Sequence, residues 1–289
     1  VLVVLIALEI AYVALLAVGR PLINWDAWVN WAMKARIIFL DNSISQSVFA
    51  DASRTVTHLD YPLLLPLVEA WTFRWASTSE DWLAGIPSLF FFASLLVVFH
   101  AVLRRLGVGE TLALVVVTSF AAVANVNGQA VAVFADLPLA VYASVASIYF
   151  ILWLRFNSAG NLVIAAVAAG MMPWTKREGI VLLLVLCLAI FILTHNSRRA
   201  RRGILALIGS ALVLAGPWWV FVALQGIRNA AFIPMTMANL VANLPRLPHI
   251  VRWELPALFN ADWSFIWPLG ALNALSAVGA EVGPLICCR

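Results

Sequence analysis

The chain has 289 residues, 64% of them apolar, with only 18 Lys/Arg and 14 Asp/Glu. Charged residues make up 11%, against roughly 25% in a soluble domain, and mean hydropathy is +0.98. Such a chain has too little polar surface to face water, which excludes an ordinary soluble enzyme and a disordered chain. The formal charge of +4 comes from too few bases to imply a nucleic-acid partner.

The apolar runs are long and unalternating, so they point to membrane helices rather than to the strands of a barrel. In chain order they are Val1–Val18, Pro62–Trp75, Trp82–Leu103, Leu112–Val126, Leu137–Leu154, Leu162–Met172, Ile180–Thr194, Ile204–Leu224 and Phe265–Gly279. Arg104, Arg105, Arg155, Arg198, Arg199, Arg201 and Arg202 occupy short connections between them. By the positive-inside rule these connections face the cytoplasm. The loops around Asp136 and Lys176-Arg177-Glu178 then face outward, as does the long stretch 225–262. The same count leaves Pro62–Trp75 beginning and ending outside. It reads as an interfacial or re-entrant helix within one large outer loop, 19–81, and the alternative is a crossing with Val1–Val18 reversed. The expected fold is an all-α polytopic membrane protein. It has about eight transmembrane helices, with interfacial helices in a large first extracytoplasmic loop and a single domain over 1–289.

Inside that loop, a helix over Ala27–Leu40 follows Asn24-Trp25-Asp26. Trp28, Trp31, Ala35 and Phe39 form its stripe, with Lys34 and Arg36 off it. Gln46–Asp60 reads as irregular. Prolines 234, 245, 248 and 256 divide the later outer loop, leaving Met235–Leu244 as a short helix.

Ionisable groups beside hydrocarbon are costly and need a reason. Asp26 is either a helix cap or a catalytic or substrate-holding carboxylate. Asp60, in His58-Leu59-Asp60-Tyr61-Pro62, again suggests a cap, yet His58 and Tyr61 make the patch chemically rich. His58 alone also reads as an ordinary loop histidine. Asp136 stands in apolar sequence where surface decoration explains little. Trp174-Thr175-Lys176-Arg177-Glu178-Gly179 places two bases on the outer side, where an anionic phosphate is the natural ligand. An internal ion pair to Glu178 is the competing reading. Glu9 lies within the first run, without an assigned role. Most of the 13 tryptophans fit an aromatic belt, while Trp25, Trp28 and Trp174 lie beside the candidate charges. The cysteines, Cys187, Cys287 and Cys288, have neither metal nor redox spacing.

Four pieces, in order, resemble the GT-C superfamily of integral-membrane glycosyltransferases: Asn24-Trp25-Asp26-Ala27-Trp28, Asp60-Tyr61-Pro62, Ala135-Asp136-Leu137-Pro138 and Lys176-Arg177-Glu178-Gly179. The nearest resemblance is to the bacterial group related to protein O-mannosyltransferases and aminoarabinose transferases. It spans residues 1 to about 225. Two departures stand out. Leu63 occupies the place of a second proline, and the Lys-x-Glu form differs from the neutral Lys-Gly form of aminoarabinose transferases.

The resemblance implies a polyprenyl-phosphate-linked sugar donor, a glycan, lipid or protein hydroxyl as acceptor, and a bacterial inner-membrane location with an extracytoplasmic site. It assigns Asp26 and Asp136 as the catalytic pair. Trp25, His58, Asp60, Tyr61, Trp174, Lys176, Arg177 and Glu178 would hold donor or sugar. No cofactor is expected; a divalent metal is compatible with Asp26, Asp136 and His58 but not required. Family members are longer, so the chain reads as part of a longer protein. The rival functions are a lipid-linked saccharide flippase, a sugar-polymer ligase and a non-catalytic scaffold.

Overall fold

The computed structural model describes residues 1–44, 49, 57–194, 197–227 and 236–259, and all regular structure among them is helical. The run Phe265–Gly279, Cys287, Cys288 and most of Gln46–Asp60 lie outside the described residues.

Helix α1 is Leu2–Val18. A π-helical segment, Ala27–Ala32, runs directly into α2, Met33–Asp41. Helix α3, Leu64–Ala76, packs against α2. A 3-10 turn, Asp81–Ala84, leads into α4, Gly85–Arg105. Next come α5, Glu110–Ala121, and α6, Ala124–Ala132. The central bundle is α7, Asp136–Phe156, α8, Ala159–Thr175, α9, Glu178–Leu193, and α10, Arg198–Leu214. Helices α11, Gly216–Leu224, α12, Met237–Asn243, and α13, Leu247–Leu258, complete the described part.

Two helical stretches, Asp81–Arg105 and Asp136–Phe156, are long and apolar enough to cross a membrane. The number rises to four if each bent pair counts as one span. Three shorter apolar helices, α1, α8 and α9, have 16 or 17 residues. The expected run Leu112–Val126 is therefore not one straight helix: it breaks at Ala122–Val123, bending 59° between α5 and α6. Ile204–Leu224 likewise bends 48° at Ala215, where Gly216 and Pro217 open α11. The loop prolines do less than expected, since Pro248 and Pro256 both lie within α13.

Packing explains the bundle. Phe150 and Trp153 of α7 press on Gly203 of α10, where an added Cβ would come within 2.5 Å of the Trp153 ring. Ala165, Ala168 and Ala169 of α8 are small enough to let α7 and α10 close on either side. The other face of α9 is exposed and wholly apolar at Val181, Leu184, Val185 and Leu188, a surface suited to lipid.

Arg104, Arg105, Arg155 and Arg199 gather at one end of the bundle. Arg105 donates to Asn161 Oδ1 at 2.9 Å, and Arg199 donates to the Trp153 carbonyl and lies 4.9 Å over its ring. Asp136 begins α7 and Arg155 closes it, so the Asp136 end lies roughly 30 Å away, one bilayer core's thickness.

Candidate active site

Asp26 is not a helix cap, because its carboxylate meets no backbone N–H at the helix start. Instead it accepts from Asn30 Nδ2 and, at 3.1 Å, from Trp31 Nε1. The π-helical turn explains the pairing. Its wider winding swings residues four and five ahead to either side of Asp26, whereas an α-turn would carry Trp31 away. Asp60 is not a cap either, since Leu63 occupies the N-cap of α3. Asp60 is buried and takes Arg177 Nη1 at 3.0 Å, while its backbone carbonyl receives Trp218 Nε1 at 3.3 Å.

Asp136 lies in the first turn of α7, where the helix dipole favours a negative charge. Both its oxygens accept from Lys176 Nζ, at 2.8 and 3.1 Å. Glu178 is more exposed and stands 4.0 Å from Lys176, so the strong ion pairs of this turn go to Asp136 and Asp60 instead. Gly179 makes the turn feasible. A Cβ there would lie 2.0 Å from the Met172 carbonyl oxygen, so the start of α9 approaches the end of α8 through glycine alone.

Tyr61 is the hub. Its ring stacks on Trp31 at 5.4 Å and on His58 at 4.8 Å. Burial raises the phenol pKa, and the charges of Glu178, Asp26, Asp60 and Asp136 raise it further, so all four carboxylates lie within electrostatic reach of the Tyr61 hydroxyl. His58 has φ of +44°, a left-handed conformation that costs a non-glycine residue energy.

The expected residues thus separate. Asp26, His58, Asp60, Tyr61, Asp136, Lys176, Arg177 and Glu178 come together. Trp25 does not join them: it is 66% exposed and pairs with exposed Trp28 at 6.2 Å. Trp174 packs instead among Leu59, Leu63 and Trp218 behind the site. Among the described residues no group of three or more His, Cys, Asp and Glu is arranged to hold a metal ion.

Sequence reading missed two participants, and a buried acid in α3. Trp31 was placed on a packing stripe, yet its indole holds Asp26. Lys34 falls off that stripe by spacing, yet it is only 2% exposed. Glu69 is fully buried in α3, and neither of its oxygens has a hydrogen-bond partner among the described residues. Burial holds its carboxyl pKa well above the usual range. Its only sequence signal was an acid within an apolar helix.

The fold is shared with the crystal structure of ArnT from Cupriavidus metallidurans bound to undecaprenyl phosphate, at a TM-score of 0.60 and 19% identity. The match covers 80% of this chain and 43% of that one, so the chain spans less than half the length of that protein. No family model and no curated protein matches the chain.

Proposed function

We propose that the protein is a GT-C-type glycosyltransferase. It moves a sugar from a polyprenyl-phosphate-linked donor to a hydroxyl acceptor at the extracytoplasmic face of a bacterial inner membrane. The observation that carries this reading is the convergence of Asp26, Asp60, Asp136 and Glu178 with Lys176 and Arg177 near Tyr61, at the end of the bundle opposite Arg104, Arg105, Arg155 and Arg199. The fold shared with a protein that binds undecaprenyl phosphate supports it.

In this reading the acceptor oxygen attacks the anomeric carbon as the bond from that carbon to the phosphate oxygen breaks. Asp26 takes the acceptor proton, and its two indole and amide donors hold the carboxylate in one orientation beforehand. The electron pair leaves on the polyprenyl phosphate. Lys176 and Arg177 offset that charge by turning from Asp136 and Asp60 toward the phosphate. The freed carboxylates are then available to sugar hydroxyls. No metal enters the scheme. Helix α3 starts beside the site and ends in an apolar groove against α4, of 870 Å³, lined by Trp71, Trp75, Ile86 and Phe90. That groove suits the isoprenoid chain, each buried CH₂ contributing about 0.8 kcal/mol.

The test supplies membranes containing the protein with a panel of radiolabelled polyprenyl-phosphate sugars and compares wild type with Asp26→Asn at matched expression. Acceptor-dependent transfer is expected in wild type and is lost, by about 10²-fold or more, in the variant. Equal transfer by the variant would overturn the role of Asp26. A second reading, a lipid-linked saccharide flippase, draws on the two bent pairs, since broken helices are a transporter feature. No transfer from any donor, combined with donor translocation across proteoliposomes, would favour it.

A further inference from the structure

Lys34 is the most unusual side chain near the site. It is 2% exposed, with no carboxylate among its hydrogen-bond partners in the described residues. Its Nζ donates to the His58 carbonyl at 2.8 Å and to the Tyr61 carbonyl at 3.4 Å. It also stands 6.0 Å from the Trp31 ring centroid and 5.9 Å from that of Tyr61. Burying an amine is expensive, and a methionine would fill much the same space without that cost. What methionine cannot supply is two N–H donors to a turn whose carbonyls point inward.

That turn is where the site is set. The His58 carbonyl also receives the Tyr61 N–H at 2.9 Å, closing the turn, and His58 holds its left-handed backbone within it. Asp60 lies inside the turn and pairs with Arg177. On the other side, Lys34 belongs to the helix that continues from the Asp26 segment, one turn beyond Trp31, whose indole holds Asp26. A single side chain therefore joins the element carrying Asp26 to the turn carrying Asp60.

We propose that Lys34 is a positioning residue: by bonding the His58 and Tyr61 carbonyls it fixes the separation between the Asp26 carboxylate and the Asp60–Arg177 pair, and so holds open the space for the donor's sugar phosphate. This rests on the glycosyltransferase reading. Desolvation lowers the amine pKa to about 7, with Asp60 and Asp26 pulling it back up. The tie survives either protonation state, because the neutral amine still has a donor for each carbonyl.

The experiment uses the full chain in nanodiscs, as wild type, Lys34→Met and Lys34→Arg. Hydrogen exchange over residues 57–63 is expected to quicken by about tenfold or more in Lys34→Met, while residues 139–150 and 162–172 exchange as in wild type. With a donor that wild type turns over, the Lys34→Met donor KM rises about tenfold while kcat stays within about threefold. Lys34→Arg, which keeps the donors, recovers part of both. Wild-type exchange over 57–63 in Lys34→Met would overturn the proposal. So would faster exchange throughout α7 and α8 with no selective effect on the turn, which marks Lys34 as ordinary core. If wild type transfers sugar from no donor, the glycosyltransferase reading falls, and the exchange data still decide whether Lys34 ties the turn.

Discussion

The charged side chains of the candidate site pair with one another, Lys176 with Asp136 and Arg177 with Asp60. Arg177 and Asp60 form an ion pair with the carboxylate buried and the guanidinium partly exposed. In a double-mutant cycle of Arg177→Gln and Asp60→Asn, the two changes should couple by about 0.5–3 kcal/mol in thermal or denaturant stability. Additive losses would show that the pair contributes nothing to the fold. Glu69 gives a pH-dependent expectation. Its folded-state pKa lies above the unfolded value of 4.5. The folded state therefore keeps a proton that the unfolded chain releases, and stability from this group falls as pH rises above about 4.5. Glu69→Gln does not ionise, so its melting temperature should exceed that of wild type at pH 8, with the gap closing toward pH 4.5. A gap independent of pH would mean that Glu69 finds a partner when ionised.

At the scale of elements, the informative feature is how closely helix ends approach one another. Gly179 lets α9 begin against the backbone of α8, and that contact orients Lys176 and Arg177. Gly179→Ala should lower stability by about 1–3 kcal/mol, because the added methyl meets backbone rather than a movable side chain. Transfer should fall with it, and unchanged melting would show that the turn can relax. The motif Lys176-Arg177-Glu178-Gly179 was legible in the sequence as a charged turn, but the reason for its glycine was not. Backbone proximity between two helices leaves no trace in composition. Likewise the Asp26 helix was visible from its stripe, whereas its π-helical first turn was not. A one-residue change in hydrogen-bond register follows from what the segment packs against, not from its periodicity. The breaks at Ala122 and Ala215 hid inside continuous apolar runs for the same reason.

Across the whole molecule, the separation of charges is the main organising fact. Arg104, Arg105, Arg155 and Arg199 sit at one end, and the carboxylate–base network sits at the other. If the network faces outward, a single cysteine from Glu80→Cys should react with a membrane-impermeant maleimide on intact cells. One from Ala159→Cys, at the arginine end, should react only after permeabilisation. Both would be placed in a background lacking Cys187, Cys287 and Cys288. The reverse labelling pattern would invert the topology and remove the extracytoplasmic assignment.

The amino-acid sequence by itself determined the solvent class, the helical character and the chain order of the residues that meet at the site. Those follow from hydrophobicity and from the basic residues that occupy the short connections between apolar runs. Tertiary structure alone decided the pairings. Asp26 and Asp60 looked like caps because a carboxylate before a helix satisfies local N–H groups. Packing instead brought Trp31, Arg177 and Trp218 within reach, from positions 5, 117 and 158 residues away. Lys34 lay off the stripe, with no role that its spacing could show. Only the turn folded over it shows the two carbonyls that accept its N–H groups.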